Sequence, residues 1–234
     1  MQYYLTLLSF GPEGWMDDIF RGIAMTVGLA LATLPFGLTV GFFVALAKQS
    51  AEPSLRLAGN IYTTIFRGLP ELLTLFLVYF GISVPLLSKV APDASPEIAS
   101  FLGGMFALTV VFSSYASEVF LGAFRVIPTG QYEGGYAIGL PHGKTMRLVV
   151  LPQLIRIALP GLSNLWLILL KDTALVSAIG LSDILRRAQI ASRVTKESLL
   201  FYGIACLIFL VLAIISSIGI NKIERSTNRQ GAGR

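Results

Sequence analysis

The residues able to do chemistry in this 234-residue chain are few, and several sit where water is scarce. Arg67, Glu71, Glu118, Lys171 and Asp172 fall within long apolar runs. An ionised group at the centre of a bilayer costs about 2.5–3.5 kcal/mol on insertion scales, so each needs a partner or a task. Arg67 and Glu71 are four residues apart and suited to pair on one helix face, but Pro70 between them breaks the helix near Gly68. Glu118 is alone in its run, beside the polar stretch Ser113, Ser114, Tyr115 and Ser117, which marks a face turned to protein or water. Asp172 follows Lys171 directly, and adjacent helical residues point about 100° apart, so the two do not satisfy each other. A single cysteine, Cys206, excludes an internal disulfide, and a single histidine, His142, leaves too few ligands for a conventional zinc site. No metal and no cofactor are expected.

The elements that carry these groups follow from composition. Hydrophobic residues make up 54% and charged residues only 13%, against about a quarter charged in soluble domains; the mean hydropathy is +0.73. Five stretches reach the roughly 20 apolar residues that a bilayer requires: 19–47, 57–87, 98–124, 148–179 and 199–220. Ten-residue alternation of polar and apolar residues is absent, which argues against a membrane barrel. The expectation is an all-α integral membrane protein of five transmembrane helices, with residues 1–234 forming one transmembrane domain and a cytoplasmic loop at 125–147.

The net charge of +5 reads as membrane orientation rather than nucleic-acid binding. Five spans place the termini on opposite sides. The segments on one side hold nine basic residues, including Lys48, Arg125, Lys144, Arg147 and Lys222; those on the other hold five, Lys89, Arg186, Arg187, Arg193 and Lys196. The rule that cytoplasmic loops are the more basic puts the amino terminus outside and the carboxyl terminus in the cytosol. Residues 181–196 read either as an amphipathic helix capped by Ser182 at the outer interface or as a solvated connector.

The loop between the third and fourth spans is not a plain connector. Thr129 is placed to cap a short helix bearing Tyr132 and Tyr136, with Gly139 and Pro141 to stop it; exposed aromatics at a membrane face suit docking of a soluble partner. Gly139 to Thr145 reads close to the phosphate-cradling G-x-x-x-x-G-K-[ST], but it is one residue short and no strand feeds it. Any nucleotide is handled by another chain. Glu133, Gly134, Gly135, Gly139, Val149, Leu151 and Pro152 keep the spacing of the E-A-A, G and I-x-L-P loop of bacterial ABC importer permeases, with glycines for both alanines. The chain resembles that family. Phe66 to Leu72, Tyr115 to Gly122, Pro128 to Gln131 and Leu169 to Ser177 make it similar to the polar amino-acid subgroup, the last segment to permeases for histidine, arginine, ornithine and arginine-derived opines.

The resemblance implies a type I ABC importer permease fold in the bacterial inner membrane, with Glu133, Gly134, Gly135, Gly139, Leu151 and Pro152 in a coupling helix and its flank. It implies a second permease subunit, identical or related, two ATP-hydrolysing cytoplasmic subunits and an extracytoplasmic substrate-binding protein; the chain itself is no enzyme. For a cationic solute the useful charge is an acid, Asp172 or Glu118, and hydroxyls such as Thr173 and Ser177 serve its carboxylate. For each acid an interhelical salt bridge is the competing reading. The rival functions are an ion-coupled secondary transporter with Glu118 and Asp172 as proton carriers, and a membrane scaffold that anchors a soluble enzyme through the loop.

Overall fold

A computed structural model describes residues 2–11 and 14–229 of the chain; Arg234 of the basic tail lies outside the described residues. Every regular element among them is helical. The order is α1 (Gln2–Leu7), α2 (Met16–Gln49), α3 (Pro53–Gly68), α4 (Glu71–Val78), α5 (Val84–Val90), α6 (Pro96–Val126), α7 (Thr129–Ala137), α8 (His142–Thr145), α9 (Leu151–Asp172), α10 (Ile184–Thr195) and α11 (Ser198–Arg229). A π-helical turn, Tyr79–Ser83, joins α4 to α5, another, Met146–Val150, joins α8 to α9, and a 3-10 segment, Thr173–Ile179, continues α9. Five helical stretches are long and apolar enough to cross a membrane: Met16–Gln49, Glu71–Val90, Pro96–Val126, His142–Ile179 and Ser198–Thr227.

The second of these differs from the 57–87 expected from hydropathy. Pro70 lacks an amide, and the residue before a proline is driven to extended backbone. Leu69 obeys, at φ −91° and ψ 149°, so the chain turns there and the spanning stretch starts at Glu71. The preceding α3 is an amphipathic helix of its own. Its Leu57, Ile61 and Ile65 are exposed while Gly59 and Thr63 are buried against the bundle.

The bundle is organised around α6, whose packing with α2 is the most extensive. Small residues on α2 make the approach possible: a Cβ on Gly41 would lie 2.9 Å from the Ser113 carbonyl, and one on Gly37 would overlap the Phe112 ring. Phe42 then meets Phe120 edge to face, with centroids 5.6 Å apart. Gly161 lets α9 close on Val119 in the same way. The serines of α6 prove to be packing residues. Ser113, Ser114 and Ser117 are fully buried, and each hydroxyl donates back to a carbonyl one turn earlier in the helix.

A second, smaller cluster lies at the α2 amino-terminal end, where Leu7, Ile19, Ile184, Ala188, Ala191 and Phe201 bury one another. It holds α10 onto α2 and α11. Residues 181–196 thus contain the amphipathic helix rather than a loose connector, with Ile184, Ala188 and Ala191 buried on protein and Val194 left exposed. The cap is Asp183 rather than the expected Ser182, its carboxylate accepting the Arg186 amide at 2.9 Å. Likewise α7 begins after Pro128, so Thr129 is its first helical residue and not its cap. Outside these clusters α2 and α11 expose Leu31, Phe36, Phe43, Leu207, Val211 and Ile215, a surface matched to acyl chains.

Asp183 is fully buried, and burial pushes its carboxyl up to about 6, against the lowering pull of the Arg186 amide. The unfolded value is near 3.9. Because folding favours the protonated form, its stabilising effect is complete below about pH 4 and is lost as pH rises through about 6. The thermal midpoint of the detergent-purified protein should fall between pH 5 and pH 8, and Asp183→Asn, which keeps a capping oxygen, should reduce that fall.

Candidate functional site

Two polar constellations lie in the bundle, one formed at the end of α2 and one at the end of α9. Lys48 closes the last turn of α2 with its side chain 8% exposed. Its ammonium donates to Thr63 Oγ1 at 3.0 Å and forms a salt bridge with Glu118. Gly59 makes room for the Lys48 stem, since a Cβ there would lie 2.7 Å from Lys48 Cγ. Arg67 reaches the same carboxylate at 3.5 Å and lies over the Tyr115 ring, 5.5 Å from its centroid. One acid on α6 thus ties together the ends of α2 and α3. Tyr62 adds a neutral tie, its hydroxyl 3.0 Å from the Val110 carbonyl and 2.7 Å from Ser113 Oγ.

The expected Arg67–Glu71 pair is not formed. The break at Leu69–Pro70 sends Arg67 to Glu118 and leaves Glu71 to face the end of α9. There Glu71 and Asp172 are near enough to feel each other's charge, with Lys171 also acting on Asp172 and Arg67 on Tyr115. Neither Glu71 nor Asp172 has a cation within 4 Å among the described residues. Two acids near one another within a membrane bundle, with no cation within 4 Å of either, form a site with a preference for positive charge. Thr173 is fully buried beside them and donates to the Leu170 carbonyl at 2.7 Å; Ser177 lies one turn further on and is half-buried. Asp172, Thr173 and Ser177 are therefore close in space, and Glu118 belongs to the neighbouring ion-pair cluster.

The loop residues form a separate surface. Glu133 and Gly134 are exposed on α7, whereas Gly135 is buried against Thr145, whose side chain occupies the space a Cβ would need. Gly139 ends the helix at φ +80°, a conformation favourable to glycine. Tyr136 stacks on His142, its hydroxyl 2.8 Å from Nδ1, and Gln153 of α9 donates to Gln131 Oε1 at 2.8 Å. Leu151 packs on the core and Pro152 is exposed in the first turn of α9. Consequently α7 is held to α9 by the Gln131–Gln153 bond and to α8 by the Gly135–Thr145 contact. Sequence reading missed Lys48, Tyr62, Thr63 and Gln153; a basic residue at the end of a span was the one signal that pointed to any of them.

The chain matches the family described as binding-protein-dependent transport system inner membrane component over residues 37–228. It is 42% identical over 230 residues to the nopaline transport system permease protein of Agrobacterium fabrum, covering 96% of this chain and 97% of that one. The arginine ABC transporter permease protein of Haemophilus influenzae is 40% identical over 213 residues, covering 90% and 93%. The histidine/lysine/arginine/ornithine permease protein of Salmonella typhimurium is 34% identical over 216 residues, covering 91% and 94%. Among solved structures, an amino acid ABC transporter superposes with a TM-score of 0.76 at 30% identity, over 91% of this chain and 95% of that one. An inward-facing methionine ABC transporter shares the fold, with a TM-score of 0.73 at 18% identity over 91% and 97%.

The two loop glycines should respond differently to alanine. Gly134→Ala meets no atom within 4 Å and should stabilise α7 by about 0.5–1 kcal/mol. Gly135→Ala must displace Thr145 and should cost about 1–3 kcal/mol. Thermal unfolding of both variants checks this, and a Thr145→Ala background should shrink the Gly135→Ala penalty.

Proposed function

The chain belongs to the family of binding-protein-dependent transport system inner membrane components, and from that premise we propose which solute it moves and how its parts are driven. It is a permease of the amino-acid ABC importer type, a multi-pass protein of the inner membrane. Its solutes are cationic amino acids or arginine-derived opines. The observation that carries this reading is the proximity of Glu71 and Asp172, two acids with no cation within 4 Å. The names of the nopaline, arginine and histidine/lysine/arginine/ornithine relatives support the same class of solute.

Asp172 takes the cationic side chain, assisted by Glu71, while Ser177 offers a hydroxyl to the rest of the molecule and Thr173, its hydroxyl bonded to the Leu170 carbonyl, backs the site from within the bundle. Glu118 was the alternative acid, and its ion pairs with Lys48 and Arg67 favour the interhelical role. Family membership also weighs against the secondary-transporter and scaffold readings. The chain pairs with a second permease, identical or related, and an extracytoplasmic protein delivers the solute. Two separate ATP-hydrolysing subunits dock on α7 around Glu133, Gly134 and Gly135. The excess of basic residues on the α7 side supports a cytosolic α7 and carboxyl terminus with an outer amino terminus.

Closure of the ATPases displaces α7, and its ties to Thr145 and Gln153 pass that displacement to α9. A 22-residue helix is about 33 Å long, and Asp172 is its last residue. The π-helical turn Met146–Val150 at its start is the kind of irregular turn that absorbs bending. Alternating access then follows from moving the acid pair between the two sides.

Asp172→Asn, tested in the complete complex in proteoliposomes with its ATPases and binding protein, should reduce arginine uptake tenfold or more while basal ATP hydrolysis stays within about twofold. Equal loss of both activities would assign Asp172 to the structure instead.

A further inference from the structure

At the end of the bundle opposite α7, three segments distant in sequence line a cavity of about 380 Å³. Small-molecule sites run from about 300 to 1,000 Å³. The apolar grooves elsewhere, such as the one lined by Leu34, Leu162 and Trp166, suit acyl chains. This cavity differs, because α2 contributes Arg21, the first turns of α6 contribute Glu97 and Ser100, the connector after the 3-10 segment contributes Ser182, and α10 contributes Arg187.

The charges around it are incompletely used. Arg187 donates from Nη1 to Asp18 at 2.7 Å, but its Nε is buried without a hydrogen-bond partner. A guanidinium carries five donors, and a buried one left idle is costly unless an acceptor arrives. Arg21 and Glu97 have no ion partner within 4 Å among the described residues. Two guanidinium groups, one carboxylate and two hydroxyls around a space of this size match the head group of an α-amino acid. Its carboxylate suits the planar forks of Arg21 and Arg187, and its ammonium suits Glu97.

We propose that this cavity is a second solute subsite that binds the zwitterionic head group of an amino acid before it reaches Asp172. The subsite rests on the amino-acid reading above, and with α7 in the cytosol it opens outward. The seven-residue 3-10 segment between the two sites spans roughly 14 Å at about 2 Å per residue. That exceeds the reach of one extended arginine, so the two sites hold different molecules. Arg186 and Arg193 of α10 and the Lys196 that follows it add basic groups at this end, interspersed with Asp17, Asp18, Asp183 and Glu197.

Equilibrium dialysis of the purified full complex with radiolabelled L-arginine tests this, with agmatine, which lacks the carboxylate, as the second probe. The expected result is that Arg21→Gln and Glu97→Gln each weaken one arginine per copy of this chain by about tenfold or more and leave the Asp172-dependent one intact. Agmatine should occupy only the Asp172-dependent site. Arginine isotherms of both variants that superimpose on the wild type would overturn the subsite while leaving the transport reading standing. An acidic side chain of the delivering protein is the other source of a carboxylate. If Arg21→Gln weakens stimulation of ATP hydrolysis by that protein but leaves free-arginine binding unchanged, the cavity is a docking contact and the solute subsite is overturned. Absence of any arginine binding to the wild-type complex would overturn both the transport reading and this inference.

Discussion

A hydrocarbon slab does not solvate an ionised group, and the arrangement of this bundle follows from meeting that constraint at Glu118. Its carboxylate is shared by Lys48 and Arg67, and Lys48 is further held by Thr63. Each group alone would cost several kcal/mol at membrane depth. Together they fasten the end of α2 and the end of α3 to the carboxyl-terminal third of α6. Once Arg67 is held there, the extended backbone at Leu69 and Pro70 starts α4 beside the end of α9, so that Glu71 lies near Asp172. The paired charges therefore position the unpaired ones.

The same helices connect the two ends of the molecule. α9 begins beside the loop helix α7 and ends at Asp172, and its 3-10 extension leads to the connector that lines the cavity at the opposite end of the bundle. Displacement of a packed helix is transmitted along its length because interiors compress little. Glycines at the contacts keep the helices close: Gly41 and Gly161 bring α2 and α9 against α6, and Gly135 seats α7 on Thr145. At Gly135 the departure from alanine has a local cause, the Thr145 side chain. At Gly134 nothing in the structure explains it.

Much of this was legible in the sequence, and the rest was not for physical reasons. Spans depend on local hydropathy, so their number and approximate bounds could be read from composition, as could the break that Pro70 imposes. The loop spacing from Glu133 to Pro152 is likewise a local pattern. Pairings between helices are different, because hydropathy says which face is buried but not against what. Arg67 and Glu71 are natural partners on one continuous helix, and the Pro70 break that separates them was read without its consequence for the pair. Lys48 and Glu118 lie 70 residues apart, with no local signal linking them. Ser182 and Thr129 were plausible caps by type, but the register chosen by packing of α10 and by Pro128 passed the cap to Asp183 and moved Thr129 inside its helix.

In the mechanism we propose, the positive charge of the solute completes the Glu71–Asp172 acid pair. Competition binding of L-arginine and its neutral near-isostere L-citrulline to the complete complex measures that charge preference directly. The account predicts that arginine is preferred by about tenfold or more in the wild type, and that the preference disappears in the Glu71→Gln/Asp172→Asn double variant while citrulline affinity is retained. An arginine preference of undiminished size in the double variant would contradict it.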